Sequence, residues 1–387
     1  MNAPKLRFKE FNDEWSEYIL NEESDVRDGT HDSPKYIDNG FPLVTSKNLN
    51  DDGTLDLENV NYLKQEDFDK INQRSKVDIG DILFGMIGTI GKPVRVSRDD
   101  FAIKNVALIK EKGIIKNDYL IHYLHSNNII KQFASNMDGG TQKFISLDKI
   151  RKLKIKMPKR QEQEKIAKML DLIDKKIELQ TKKIEDLKLF KKGVIDYISK
   201  KIETEKIPLK NILVEQNYKT TKNNEYEILS STAKGIYLQK DYFNKQAASD
   251  NNIGYKILKK NQLVLSPQNL WMGNININKE YNIGIVSPSY KVFNINDNID
   301  INFFNYWIKS AKALYEYKIS SEQGASIVRR NLNMDLFYEI VADIPKGKWQ
   351  NEIGKIIKLL DLKVQYNESS LQKLLDLKKG LMQNMFV

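Results

Sequence analysis

Two stretches of the chain share one hydrophobic pattern. In the first, Ile166, Ile173, Gln180, Leu187 and Val194 recur every seven residues, interleaved with Leu170, Ile177, Ile184, Lys191 and Ile198. In the second, Ile353, Leu360, Asn367, Leu374 and Leu381 interleave with Ile357, Val364, Leu371, Lys378 and Met385. Apolar spacings that alternate four and three describe a coiled-coil seam. Pro158 and Pro345 stand where each helix can begin, because the first turn needs no amide from them. About 40 residues at roughly 1.5 Å each predict helices of about 60 Å. Gln180 and Asn367 interrupt both seams at the same place. A buried amide needs a partner, and an antiparallel pair would set these two opposite each other and fix the register. The expected layers are Ile173–Leu374, Gln180–Asn367 and Leu187–Leu360.

The helices belong to a larger repeat. From Pro158 and Pro345 the two stretches align without gaps at an offset of 187, sharing Ile166/Ile353, Lys168/Lys355, Leu172/Leu359, Asp174/Asp361 and the Lys-Lys-Gly at 191–193 and 378–380. Upstream, Gly140-Thr141 answers to Gly324-Ala325-Ser326, DYLIHYLHS at 118–126 to NFFNYWIKS at 302–310, and VDIGDILFG at 77–85 to LKKNQLVLS at 258–266. The same order of features in both halves points to duplication. The chain divides into 1–157, helix 158–204, 205–344 and helix 345–387. The β-branched runs ILFGMIGTIG, FAIKNVALI and GYKILKKNQLVL predict strands, with helices near 118–134 and 300–318. The expected fold class is α+β: two mixed α/β domains in pseudo-two-fold repeat, joined by two long helices that form an antiparallel coiled coil.

Composition narrows the chemistry. The 387 residues carry 62 basic and 52 acidic side chains, a net charge of +10, three His and no Cys. That excludes a disulfide framework, thiolate zinc sites and a cysteine nucleophile. No apolar run reaches the roughly 20 residues needed to cross a bilayer, and the opening MNAPKLRFKEFNDEW lacks the apolar core of a signal peptide. No GxxxxGK[ST] loop occurs, and Gly85, Gly88 and Gly91 do not have dinucleotide-binding spacing. His122 and His125 have helical spacing but no carboxylate array beside them, so no metal site is expected. Asp-x-Lys at 186–188 and 376–378 falls on the helices, where a solvated face explains it. No catalytic residue is expected on this chain.

The surplus charge is local. Residues 139–160 hold eight Lys/Arg and one acid, while 255–291 hold five Lys and one acid with Tyr255, Trp271, Tyr281 and Tyr290 interleaved. Such runs neutralise phosphates and release counterions. Amides can read adenine edges and arginines guanine, and the chain has only nine arginines. The candidate DNA contacts are Lys92, Arg95, Arg98, Lys104, Thr141, Gln142, Lys143, Gln268, Asn269, Trp271, Asn274, Tyr290, Arg329 and Arg330. Residues 10–69, rich in Asp and Glu, are expected to face away from DNA. Each basic run is also what an ordinary solvated surface looks like.

Nearly the whole chain resembles the specificity subunit of type I restriction–modification systems. The residues that carry the resemblance are PKLRF…FNDEW at 4–15, DGTH at 28–31, GFPLVTSKNL at 40–49, GTQKFISLDKIRKLKIKMPKRQEQEKIAKMLDLID at 140–174, SPSYKVF at 287–293 and LKKGLMQNMF at 377–386. The resemblance implies two target-recognition domains, each reading one half of a bipartite, asymmetric site in double-stranded DNA. It implies that the helix pair sets the gap between half-sites and docks two modification (methyltransferase) subunits. No cofactor is expected on this chain: S-adenosylmethionine belongs to the modification subunits, and ATP and Mg to the restriction subunits. A cytoplasmic location follows from the same resemblance. The second half departs from the pattern, with EQNYKTTKNNEYEILSS at 215–231 in place of DGTH and Trp349-Gln350 in place of Glu162-Gln163. The first departure suggests different half-sites; the second suggests unequal contacts with the two modification subunits. A DNA-binding scaffold without a methyltransferase, or a nuclease in its own right, are the readings from other classes. Co-purification with a methylase, or cleavage with Mg²⁺ alone, separates them.

Overall fold

The computed structural model of the chain describes residues 3–88, 90–136, 144–242, 251–323 and 330–387. It forms two compact units: Met1–Lys182 with Ser369–Val387, and Lys183–Glu368. The division cuts across both long helices, so each unit owns a globular part and a piece of each helix.

The first unit is built on a four-stranded antiparallel sheet in the order Ser24–Asp28, Val106–Glu111, Ile82–Gly85, Gly91–Arg95. Side chains of the inner strands alternate between two clusters, as they must in a sheet covered on both faces. Ile82, Phe84, Ala107 and Ile109 pack in one cluster with Tyr119 and Tyr123. Leu83, Val106 and Leu108 pack in the other with Val44, Val94 and Phe101. The first cluster also takes Ile166, Ala167 and Leu170 from the first long helix, and Met385 and Phe386 from the end of the second. The entering strand Ser16–Ile19 pairs with Lys154–Met157, which leads into the first long helix.

The second unit repeats this order with Leu213–Gln216, Lys291–Ile295, Leu263–Leu265 and Ile275–Ile277. Leu263, Leu265 and Phe293 face the cluster that contains Ile195, Ile353 and Ile357 from the long helices. Val264 and Val292 face the opposite one, with Leu229, Leu258 and Val286. Its entering strand, Thr204–Pro208, pairs with Val341–Pro345 ahead of the second long helix. The units differ in what covers the second face of the sheet. In the first it is a three-stranded sheet (Asn61–Leu63, Phe41–Val44, Ala102–Ile103) with the helix Gln65–Ser75. In the second it is the hairpin Leu229–Thr232/Gly235–Leu238 and the ladder Lys256–Lys259/Ile283–Val286.

The fold is thus α+β with duplicated mixed domains, as the pattern predicts. The aromatic segments near 118–134 and 300–318 are each two short helices, Asn117–Leu124 with Asn127–Asn136 and Ile301–Trp307 with Ala311–Ile319. In the second unit the break has a local cause. Ser310 accepts a hydrogen bond from the amide of Ala313 and starts a new helix, as an N-cap serine does.

The long helices span Arg160–Lys201 and Trp349–Met385. Equivalent glutamines secure their starts. Gln163 accepts from the Lys116 amide (3.1 Å) and donates to the Pro158 carbonyl (3.0 Å). Gln350 accepts from the Asp300 amide and donates to the Asn298 carbonyl (3.1 Å). All seam positions from Ile166 to Ile198 and from Ile353 to Met385 are buried or half-buried. Within each unit the helices run antiparallel. Asp174 meets Lys378 at 2.5 Å in the first unit; Lys188 meets Glu368 at 2.7 Å and Lys191 meets Asp361 in the second.

Asp174–Lys378 and Lys191–Asp361 are one contact made twice, because Asp174 corresponds to Asp361 and Lys191 to Lys378 in the repeat. They displace the layers expected from matching amides. The expected layer set Leu374 opposite Ile173, whereas Lys378, about one turn further along, lies opposite Asp174. A lysine at a seam position lays its methylene stem over the apolar groove and sends its ammonium to a flanking carboxylate. Asn367, 3% exposed, donates to its own helix at the Lys363 carbonyl (2.6 Å).

Candidate nucleic-acid interface

Sheet register decides which loops share an end. In the first unit Asp28 pairs with Ala107, and Gly85 with both Val106 and Gly91. The loops after Asp28, before Val106 and between Gly85 and Gly91 therefore leave the sheet side by side. Ile87 bridges Phe144, which brings in the chain that follows the 137–143 stretch. In the second unit Gln216 pairs with Val292, and Leu265 with both Lys291 and Ile275. The loops after Gln216, between Leu265 and Ile275, and before Lys291 gather in the same way. The Arg330 amide donates to the Gln268 carbonyl (3.2 Å) and adds a fourth segment. Loops held by a rigid sheet are the usual carriers of recognition.

The DGTH sequence organises this end of the first unit, so part of the acidic 10–69 stretch, expected to face away from DNA, lies among the candidate loops. Gly29 and Thr30 donate to the carbonyls of Val106 and Ile103 (3.0 Å each). A Cβ on Gly29 would sit 2.3 Å from the Ile103 oxygen, so only glycine fits. Asn105 takes a left-handed conformation (φ 54°), which asparagine tolerates better than most residues. The buried Asp28 carboxylate accepts from Arg74 and, at 2.8 Å, from His31 Nε2. His31 Nδ1 lies 2.7 Å from Asn105 Oδ1. Hydrogen bonding to Asp28, then to Asn105, raises the His31 pKa above its ordinary value. Lys104 donates to Ser33 Oγ (2.7 Å), and Lys92 pairs with Asp51 (2.9 Å).

In the second unit the turn after Gln216 is tied to Asn252 by neutral groups, with Glu225 accepting from the Thr221 amide (3.1 Å). Thr220 Oγ1 donates to the Asn252 carbonyl (2.8 Å), Asn252 Nδ2 donates to Asn224 Oδ1 (2.7 Å), and the Asn224 amide donates to Asn252 Oδ1 (2.7 Å). Gln268 is exposed and Asn269 half-buried, and both precede the short turn Leu270–Met272 that carries the half-buried Trp271. Lys309 donates to the carbonyl of Gly273 (2.6 Å) at the end of that turn, and burial pushes its ammonium down to about 8. Tyr290 donates to the Ser231 carbonyl (3.3 Å), and burial raises its phenol.

Several candidates serve the fold. Asn274 is 7% exposed; its Oδ1 accepts from Ser231 Oγ (2.8 Å) and its Nδ2 donates to the Ser231 carbonyl (3.0 Å). Arg330 Nε donates to Ser321 Oγ (2.9 Å), closing its own hairpin. Arg95 lies at the opposite end of the first sheet, paired in register with Ile82. It binds Asp118 at 2.7 Å and Asp171 of the long helix at 3.2 Å. His122 also donates to Asp171 (3.0 Å). Arg98 pairs with nearby Asp100. Thr141, Gln142, Lys143 and Arg329 lie outside the described residues. Among the described residues no group of three or more His, Asp or Glu is placed to hold a metal ion, and no helix is long and apolar enough to cross a membrane.

Residues 12–189 match the family described as the type I restriction modification DNA specificity domain. A curated relative, the type I restriction enzyme MjaX specificity subunit of Methanocaldococcus jannaschii, is 30% identical over 231 residues, 54% of this chain and 53% of that protein. The chain thus spans about half the length of the curated relative it matches. Residues 12–189 thus carry a type I restriction modification DNA specificity domain. The crystal structure of the type I restriction–modification S subunit from M. genitalium is similar in fold, with TM-score 0.63 and 15% identity, covering 100% of this chain and 99% of that one. A chain solved in work on complex assembly and conformational transition of the type I system gives TM-score 0.52 at 12% identity, covering 95% and 96%. The match to the specificity domain ends at residue 189, yet the second unit repeats the strand order of the first. Sequence reading missed the pairing of His31 with Asp28 and Asn105. The only signal was DGTH itself, since Asn105 is 74 residues away.

Proposed function

We propose that the chain is the DNA-recognition subunit of a type I restriction–modification complex. Each unit reads one half of a bipartite, asymmetric site with its loop-bearing sheet end. The observation that carries this reading is one sheet topology made twice, with different side chains gathered at equivalent ends: Asp28, His31 and Asn105 in one, Thr220, Asn224 and Asn252 in the other. Unlike loops on like scaffolds suit two unlike half-sites. The chain does no chemistry of its own. S-adenosylmethionine is bound by two modification subunits, ATP and Mg by restriction subunits, and the complex works in the cytoplasm.

The helix pair sets the spacer and carries the modification subunits. Exposed apolar residues recur at repeat-related places on it: Leu172 (54%) and Leu377 (51%) in the first unit, Leu359 (67%) and Phe190 (59%) in the second. Exposed apolar clusters of this kind mark contact surfaces, and two copies suit two partners. Inserting four residues into both helices is expected to lengthen the gap in the methylated site and leave the bases unchanged. Sequencing methylated adenines in cells carrying the variant measures this; an unaltered gap counts against the ruler. Gln268→Ala is expected to weaken discrimination at one half-site by about 1–3 kcal/mol. Equal loss at both halves, in affinities for duplexes with either half scrambled, argues against modular reading.

A further inference from the structure

The Asp28–His31–Asn105 cluster carries a consequence for recognition that goes beyond the proposed DNA reading and rests on it. A carboxylate oxygen can only accept a hydrogen bond, and so can an amide oxygen. His31 faces one of each: Asp28 Oδ2 on Nε2 and Asn105 Oδ1 on Nδ1. With the Asn105 oxygen turned to Nδ1, as it is here, both contacts are made at once by the imidazolium, which carries a proton on each nitrogen; the neutral ring would need the amide turned over to present its NH2. The ring then ties the turn that follows one sheet strand to the corner that precedes its neighbour.

We infer that His31 is a positioning residue, a protonated clip that holds the loops of the first unit in their DNA-reading arrangement, so that recognition of one half-site weakens as pH rises while the other does not. The charged groups around the ring are few. Asp28 lies beneath it and is shared with Arg74 from the helix Gln65–Ser75. Asp32 is next in sequence, and Lys104 adjoins Asn105 and reaches Ser33. Of these, Arg74 disfavours the imidazolium, and the contacts with Asp28 and Asn105 outweigh it. A group whose pKa is raised by its native contacts supports them fully below its ordinary value of about 6.5 and loses them as pH passes through the raised one. The equivalent turn of the second unit is held by Thr220, Asn224 and Asn252, none of which titrates in this range, so the effect stays on one side.

Two measurements on the full chain test this. The first is independent of DNA. The chain has three histidines, so histidine-labelled protein gives few ring signals by NMR, and His31→Gln identifies the one that belongs to His31. Its midpoint is expected above about 6.5 and should fall in Asp28→Asn. A midpoint at or below the ordinary value overturns the clip. The second measurement is selection from a pool of random-sequence duplex DNA at pH 6 and pH 8.5. At pH 6 His31→Gln should reduce enrichment of one half-site about tenfold, the scale of losing a hydrogen bond to a charged group, and leave the other half intact. Wild type at pH 8.5 should resemble the variant. If the ring titrates as expected but both half-sites, or neither, respond, the positioning role is wrong and the DNA reading stands. If wild type enriches no sequence at either pH, the DNA reading fails and the role falls with it.

Discussion

Phe386→Ala is expected to destabilise the first unit by about 3–5 kcal/mol, the usual loss for a buried aromatic. Phe386 packs on Tyr119 and Tyr123, which lie 267 and 263 residues before it in the sequence. Its ring lies 5.7 Å from Tyr119 and 5.5 Å from Tyr123, inside the cluster that also holds Ile166 and Leu170. The Val387 carbonyl next to it accepts from Tyr123 (3.2 Å) and from Asn128 (2.5 Å). The end of the second long helix is therefore a core element of the first unit. Denaturant unfolding, read with hydrogen exchange of the Asn117–Leu124 helix, measures the effect. Unchanged protection of that helix would show that the aromatic contact contributes little.

Arg7→Ala should be comparably severe. Arg7 forms two hydrogen bonds of 2.7 Å with Glu162, whose side chain is only 2% exposed at the start of the first long helix. Removing the guanidinium strands a buried carboxylate, which typically costs about 3–5 kcal/mol. Replacing both residues by apolar ones, Arg7→Met with Glu162→Leu, is expected to recover most of the loss, because desolvation and attraction nearly cancel in a buried pair. Thermal unfolding of the single and double variants decides the matter; a double variant as weak as the single would mean that packing, not charge, is what Arg7 supplies. The second unit has Trp349 at the equivalent helix start, 47% exposed, and so no carboxylate there for an arginine to neutralise.

The long helices, the duplication and the α+β class were legible because each depends on local order. Seven-residue spacing makes a seam whatever else the chain does, and every seam residue is buried or half-buried. Of the inner strands, Ile82–Gly85, Val106–Glu111 and Leu263–Leu265 were legible as β-branched runs, and Lys291–Ile295 was not. The helix register was not, because the contacts that mark it join residues on opposite helices. Asp174 and Lys191 are visibly shared with Asp361 and Lys378 in the repeat, but nothing local says that Asp174 meets Lys378 and Lys191 meets Asp361.

The candidate site was half legible. Gln268, Asn269, Lys104 and Lys92 do lie at the loop-bearing ends, since residues flanking short strands must sit near their tips. Arg95 and Asn274 carry the same chemistry and are spent on structure, one on Asp118 and Asp171, the other on Ser231. Composition cannot separate the two fates. By itself the sequence determined what repeats and which side chains are available: two like halves, two helices, unlike loops, and no thiol chemistry. Only the tertiary structure decided which end of each sheet carries the loops, which charges are consumed, and that His31 has an acceptor on each nitrogen. Those depend on pairings between residues tens to hundreds of positions apart, which spacing along the chain does not encode.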